Sequence, residues 1–472
     1  MSLLRSIKKG VKYFAMAFET QTLTEPVILQ LIREHKSSKA LQWMLTGERY
    51  YAVENDLLQM ERPYRKSYQA DHRLIHATYK NIVDEKIGYV FSKNAAITAE
   101  TEAGTRQIID TLGTGFHYQL ETLGYEASNK GIGWARPYIG RNQKFALFVP
   151  PSEQIIPGWK DATHTELDYV IRYYTTKVWR FDRRVEVTNV EVWTADQVSY
   201  YRIDGSSLLR LEDEEGHFYQ DGEPETWGKV PWIPFKNNRN ELPDIKFIKS
   251  LIDDYDLTRS EVANYIEEVK NLIFVLKGYS GDSLDEFLEH IYRNRAIILD
   301  ADDDFKSDVE TLTPKMDVDV SKTHYEQLKR DILEGAQAVN RDLDKFGAAP
   351  SGVALEFLFS GLELKSNQIE SEFRRGFEAV VDFAYDYLER LNRSVKRETV
   401  SIVFNHDMAK DEKAIIESCN ESRGLVSLDT ILANHPWVVD VQKEKELLAV
   451  EKEESAVFQA IPPLPVSDDE ES

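Results

Sequence analysis

Helical patterning at both ends of the chain and strand patterning between them predict an α+β fold. Three observations carry that reading. From Glu25 to about Leu123 apolar residues recur every three or four positions. Between Gly131 and Phe235 short alternating, β-branched and aromatic runs take over. After Leu242 three long helical stripes follow one another.

In the first stretch Ile75, Tyr79, Ile82, Val83 and Lys86 through Val90 read as an amphipathic helix. The strands expected next are Ala146 to Val149, Leu167 to Thr175, Val185 to Trp193 and Val198 to Ile203. Turn pairs such as Asp204-Gly205 and Asp221-Gly222 separate them, so the middle of the chain reads as an antiparallel β-rich unit. From Leu242 to Asn271 the residues Ile245, Ile248, Ile252, Tyr255, Val262, Ile266 and Val269 form a stripe that only Arg259 interrupts. A helix of that length runs ~45 Å, and a 3/4 stripe on it seeks another helix.

Leu272 to Lys277 and Arg295 to Leu299 read as strands around a short helix from Leu284 to Tyr292, with Val309 to Val320 as an extended acidic return. This is a small α/β module inserted between two long helices. The second long helix runs from about Lys322 to Asn340, with Tyr325, Leu328, Ile332, Ala336 and Val339 on one face. Gly347, Pro350 and Gly352 then break the helix. Ser351 is placed to cap the next one, where Ile369, Phe373, Phe377, Val380, Ala384, Leu388 and Leu391 mark a stripe. From Val353 to Asn392 it measures ~60 Å, longer than one ordinary globular core requires, which points to an assembly. Val400 to Phe404 is a last strand. The chain from Ala409 is helical and charged, and its acidic, Pro-containing end reads as disordered.

Composition narrows the function. The chain has 472 residues, enough for two to four domains, with 58 Lys and Arg against 81 Asp and Glu, a net charge of −23. That balance excludes a basic protein that coats nucleic acid. The longest apolar runs, Leu272 to Leu276 and Ala296 to Leu299, are far too short to cross a membrane, and Tyr13 to Phe18 is too short for a signal-peptide core. A soluble chain is expected. The single cysteine, Cys419, can form neither an intramolecular disulfide nor a cysteine zinc site and reads as an inert thiol suited to a reducing compartment.

A search for catalytic chemistry comes back empty. Gly228-Lys229 lacks the first glycine and the following Ser or Thr of a phosphate-binding loop. Gly131-Ile132-Gly133 leads into Arg136 and a strand, which suits glycines of a β-turn or strand rather than a dinucleotide site. The acidic run from Asp300 to Asp304 lacks the Gly and Glu of a calcium loop. His72 and His76 are spaced to share a helix face but have no third ligand, so capping or surface roles are expected. The cluster Asp253, Asp254 and Asp256 is expected to face solvent or a partner. No catalytic residue, metal site or cofactor is expected.

Six segments in order nevertheless point to a family. They are Trp43 to Tyr51, His76 to Val90, Pro234 to Asn238, Asp244 to Tyr255, Phe274 to Gly278, and Pro350 to Leu355 with Ser360 to Lys365. Across about residues 40 to 408 the sequence resembles portal (connector) proteins of long-tailed double-stranded DNA bacteriophages, in the siphovirus branch of Gram-positive hosts. The resemblance implies a portal fold: an α/β wing from 1–241, stem helices 242–271 and 322–340, and a small α/β clip 272–321. It further implies a tunnel loop 341–352, a long wing helix and strand 353–408, and a helical crown with acidic tail 409–472.

The family function it implies is a ring, usually of twelve subunits, at the unique capsid vertex, with no enzymatic activity of its own. Double-stranded DNA would pass through without sequence-specific contact. The large terminase subunit and later the head-to-tail adaptor would dock on the clip, with the major capsid and scaffolding proteins as further partners. The ring would assemble in the host cytoplasm, end in the virion and touch no membrane. In the tunnel loop Asp344, Lys345, Phe346, Gly347, Pro350 and Ser351 would meet the DNA. The stripe from Ile245 to Val269 would pack subunits together. An acidic wall repels phosphates, so DNA would slide through such a ring. A filament-forming scaffold and a carboxylate-dependent hydrolase are the alternatives that a mass measurement or an image would separate from a closed ring.

Overall fold

The computed structural model describes residues 23–63, 69–140, 142–180, 182–211, 215–220, 222–269, 273–277, 308–312, 318–340, 352–391, 395–405, 412–438 and 441–459. The chain divides into two compact units, one comprising residues up to Asn340 together with Leu362–His406, the other comprising Arg341–Gly361 and the residues from Asp407.

The larger unit begins with α1 (Glu25–Lys36), α2 (Lys39–Tyr51) and α3 (Thr78–Phe91). After a short β1 (Ala96–Thr98) come α4 (Glu102–Leu112) and α5 (Phe116–Lys130). Ser38 and Thr101 start α2 and α4 in the usual way, their side-chain oxygens accepting from the N–H groups of Leu41 and Gly104. Helix α5 ends at Gly131 with φ 86°, and a Cβ there would lie 2.2 Å from the Glu241 carbonyl oxygen. Only glycine suits both demands, so Gly131 is a helix cap rather than part of a nucleotide loop.

Two sheets follow. β2 (Ile132–Ile139), β3 (Phe145–Phe148) and β11 (Ile233–Lys236) form one, in the order β11-β2-β3. The other is an antiparallel meander of β4 (Ile155–Trp159), β5 (Leu167–Arg180), β6 (Arg183–Trp193), β7 (Val198–Asp204) and β8 (Ser207–Arg210). Alternation along its strands sorts side chains onto two faces. Ile171, Val190 and Val192 meet Ile28 and Ile32 of α1, whereas Val170, Trp193 and Val198 meet Trp134 and Trp232. β9 (Phe218–Gln220) and β10 (Glu223–Glu225) make a separate small hairpin.

Three long helices complete the pattern: α6 (Ile245–Val269), α7 (Val318–Ala336) and α8 (Gly352–Leu391). Between the first two lies the antiparallel pair β12 (Ile273–Lys277) and β13 (Asp308–Leu312), in register from Ile273 opposite Leu312 to Lys277 opposite Asp308. The expected strand 295–299 and helix 284–292 lie outside the described residues. Helix α7 starts at Val318 and stops at Ala336, earlier at both ends than its apolar spacing indicates; at the C-terminal end Gln337 adopts φ 55° and leaves the helix. On α8 the row Ile369, Phe373, Phe377, Val380 and Ala384 is buried within the chain. Phe373 stands 5.3 Å from Phe91 and 5.0 Å from Phe235, and Phe377 5.9 Å from Phe116, centroid to centroid. β14 (Ser401–Val403) pairs with β1.

The smaller unit contains the first turns of α8 and the helices α9 (Glu412–Glu421), α10 (Leu428–Asn434) and α11 (Val441–Gln459). Cys419 is buried there. Among the described residues no helix is long and apolar enough to cross a membrane.

Candidate functional site

The feature that organises the larger unit is the pair α6 and α7. Gly335 lies against Ile248, His324 Nε2 lies 3.1 Å from an Asp254 carboxylate oxygen, and the rings of Tyr255 and Tyr325 meet edge to face at 6.3 Å. Rising numbers on one helix meet falling numbers on the other, so the two are antiparallel. Ile248 and Ile252 are fully buried, with Leu328, Ile332 and Ala336 buried on the partner helix. Arg259, the interruption in the stripe, lays its guanidinium 4.6 Å from the centre of the Tyr325 ring.

The stripe therefore divides. Ile245, Ile248 and Ile252 are spent inside the chain, which departs from the expectation that the whole stripe is left for another subunit. Tyr255 and Val262 are partly buried, and Ile266 is 52% exposed. The Val269 side chain lies outside the described residues. So do Asp344, Lys345, Phe346, Gly347, Pro350 and Ser351, together with the run from Asp300 to Asp304.

A second face of α6 carries Asp256, Ser260 and Asn264, all fully or almost fully buried. At four-residue spacing they stand in one row, and an extended strap of residues 71–77 lies along it. The His72 N–H donates to Asn264 Oδ1 at 2.6 Å, the Leu74 N–H to Ser260 Oγ at 2.9 Å, and His76 Nδ1 lies 2.7 Å from an Asp256 oxygen. Asn55 Nδ2 donates to the other Asp256 oxygen at 2.5 Å. Burial pushes the Asp256 carboxyl up despite the hydrogen bonds from His76 and Asn55 that favour its anion. Two expectations are corrected here. His72 and His76 sit on extended chain rather than a helix, and Asp256 faces neither solvent nor a partner.

At the base of the pair is a buried ionic hub. Asp244, just before α6, donates its N–H to the Ser128 carbonyl at 2.9 Å. Its carboxylate accepts from Lys86 Nζ at 3.0 Å and Asn237 Nδ2 at 3.0 Å, with Lys365 Nζ at 3.4 Å. Lys86 also donates to Asn237 Oδ1 at 2.5 Å, and Lys365 donates to the Ala336 carbonyl at 3.0 Å. One carboxylate thus joins α3, the start of α6 and α8, while Lys365 ties the end of α7 to α8. Burial would raise Asp244, but the cations Lys365 and Lys86 and the Asn237 hydrogen bond outweigh it and hold the carboxyl at about 2. Burial draws Lys86 down to about 8, still charged at neutral pH. Beside the hub an open cleft of about 750 Å³ is lined by Arg239, Asn240, Gln337, Asn367 and Gln368 among others.

Sequence reasoning missed both the strap row and the hub. A polar row at spacing four beside an apolar stripe was visible, as was Lys86 in the apolar run from Ile82 to Val90. The arrangement suits mechanical work, since a helical strut is held by packing on one face, a hydrogen-bonded strap on another and a buried charge cluster at its root. Among the described residues no group of His, Cys, Asp and Glu is placed to hold a metal ion.

Comparison with known proteins adds the family. Residues 32–457 match the family model described as "Phage portal protein, SPP1 Gp6-like". The chain is 28% identical over 444 residues to the portal protein of Bacillus phage SPP1, covering 90% of this chain and 86% of that protein. It is 29% identical over 431 residues to the portal protein of Clostridium phage phiCD119, covering 87% and 93%. Among solved structures, a chain of the virion of a native gene transfer agent particle aligns with 82% of this chain and 91% of its own length at a TM-score of 0.39 and 10% identity, a likeness too low to bear on function.

Proposed function

This chain belongs to the SPP1 Gp6-like phage portal protein family, and on that premise we infer that it is the portal subunit of a phage virion. In this reading it acts by geometry. Copies close into a ring, a dodecamer, at one capsid vertex, and double-stranded DNA enters and leaves through the central hole.

The observation that carries the reading is the antiparallel pair α6 and α7, rooted in the Asp244 hub and bracketing the β12–β13 pair. A strut fixed at its root and bearing a small module suits a wall that must stay in place while a stiff polymer moves past it. We assign 242–271 and 322–340 to the stem and 272–321 to the clip, the docking platform for terminase and then for the head-to-tail adaptor. Residues 1–241 and 353–408 form the wing in this scheme, and 409–472 the crown. The segment 341–352 is the tunnel loop, with Lys345 offered to phosphates and Phe346 to the duplex surface. The net charge of −23 per chain favours sliding over gripping. The family is structural, and the work of pumping falls in this reading to a separate motor.

Negative-stain images of the purified chain test the proposal directly. Closed rings with a central hole are expected. Filaments would favour a scaffold, and monomers would remove the portal reading.

A further inference from the structure

The strands β5 and β6 run on past the sheet that contains them. β4 pairs with β5 only between Leu167 and Arg172, and β7 pairs with β6 only between Asn189 and Trp193. From Thr175 opposite Thr188 to Arg180 opposite Arg183, six residue pairs have, among the described residues, only each other as strand partners. The ribbon extends roughly 17 Å beyond the meander, and among the described residues both its hydrogen-bonding edges have no neighbouring strand.

Its tip carries net positive charge, although Lys177 is already paired with Glu186 on the opposite strand at 3.5 Å. Between Lys177 and Arg184 the sequence has four cations, Lys177, Arg180, Arg183 and Arg184, and one carboxylate, Asp182, in a protein of net charge −23. Trp179 is 65% exposed, and the Arg184 guanidinium lies 5.0 Å from the centre of its ring. A large exposed aromatic beside a guanidinium is the composition of an interface anchor rather than of an idle turn.

An acidic concavity lies elsewhere in the same unit. Glu223, Glu225, Asp386 and Glu389, with Trp227 and one cation, Arg390, line an open cleft of about 600 Å³. Arg390 pairs with Glu225 at 3.3 Å, and Arg397 holds Asp386 at 2.5 Å and Glu389 at 2.7 Å. Lys229 also holds Asp386 at 2.8 Å, so Glu225, Asp386 and Glu389 are fixed in position before anything arrives.

We propose that the β5–β6 ribbon is a docking arm whose cationic, Trp179-bearing tip seats in the Glu223–Glu225–Glu389 cleft of a second copy of this chain. The proposal rests on the ring reading above. Two different, oppositely charged faces on one chain make a head-to-tail contact, the kind that closes into a ring. A duplex is the weaker occupant, because the same acidic chain that attracts the arm repels phosphates.

The test uses the full chain and sedimentation across salt. In R183E/R184E the concentration at half-assembly should rise at least about tenfold, and in W179A by a similar factor. Adding E223K/E225K to R183E/R184E should recover most of the loss, because the swapped charges attract again. Higher salt should weaken the wild-type ring and leave the arm-reversed variant less affected. Unchanged assembly in both arm variants, or loss without recovery in the swapped variant, would overturn the proposal. So would wild-type binding to a short DNA duplex that R183E/R184E loses while its ring stays intact. A wild-type chain that never assembles would refute the ring reading itself, a result distinct from unchanged rings in the variants.

Discussion

Replacing Lys86 with Met tests whether the ionic hub roots the stem. The side chain is 1% exposed and donates to Asn237 and Asp244, so Met keeps the volume and removes the charge. Asp244 is then left fully buried with Lys365, among the described residues, as its one cation. Breaking a buried pair from one side costs about 3–5 kcal/mol, because the remaining charge keeps its desolvation penalty. Hydrogen exchange at the Asp244 amide, which donates to the Ser128 carbonyl, reads the opening of this region locally. Exchange should quicken by about two to three and a half orders of magnitude, at roughly 1.4 kcal/mol per tenfold. Adding Asp244→Asn should return about half of the loss, since no uncompensated anion remains. The acid limb moves as well. Asp244 is held at about 2 against an ordinary 3.8, so its contribution is complete above 3.8 and lost as pH falls toward 2. Without Lys86 the native carboxyl titrates closer to 3.8, so that loss should be smaller and end at higher pH. Exchange within threefold of wild type would refute the argument that the hub fixes the root of α6.

Ile252→Asp should unfold the α6–α7 pairing in any assembly state, since the residue is fully buried, whereas Ile266→Asp should leave the fold intact and prevent rings; circular dichroism with sedimentation separates the two. His217 donates from Nε2 to the Thr194 carbonyl at 3.0 Å and accepts the Trp227 N–H at Nδ1 at 3.1 Å, and burial pulls it down to about 4. Its stabilising share is complete above pH 6.5 and lost as pH falls toward 4, about 3 kcal/mol in all, and chemical denaturation of His217→Asn should lack that slope. Gly347→Pro should leave assembly intact and reduce the DNA packaged per capsid, and normal genome length and retention would remove the tunnel-loop reading.

What was legible in the sequence was spacing, and spacing fixes a face without naming its partner. The 3/4 stripes gave α6, α7 and α8 to within a few residues, and the alternation from Leu167 to Ile203 gave the meander. Whether Ile252 meets its own α7 or another subunit is not a property of periodicity, because either neighbour imposes the same repeat. The strap 71–77 was misread because Ile75 fits the helical spacing of Tyr79 and Ile82, yet its backbone finds donors and acceptors on Ser260 and Asn264 instead. Tertiary hydrogen bonds of that kind outweigh a one-turn extension of α3. The hub was hidden for a related reason. A buried lysine is readable only once its carboxylate is located, and Asp244 lies far along the chain from Lys86.

The distribution of burial along α6 separates the competing architectures. At the root Ile245, Ile248 and Ile252 are sealed, and the Asp244 cluster adds directional contacts to α3 and α8; toward the far end Ile266 is half bare. A strut loaded from its tip needs its stiffness at the root, because any looseness there is multiplied by the length of the helix. Exposed apolar surface costs about 25 cal/mol per Å², and among the described residues nothing seals the far end of the stripe at Ile266. Identical chains around a ring axis supply that cover to one another, and each copy gains it equally. A monomeric hydrolase has no use for such an uncovered tip. A filament would repeat its contact along an axis without closing, leaving unmatched ends that a ring does not have. The gradient from sealed root to bare tip therefore fits a closed ring of struts better than either rival.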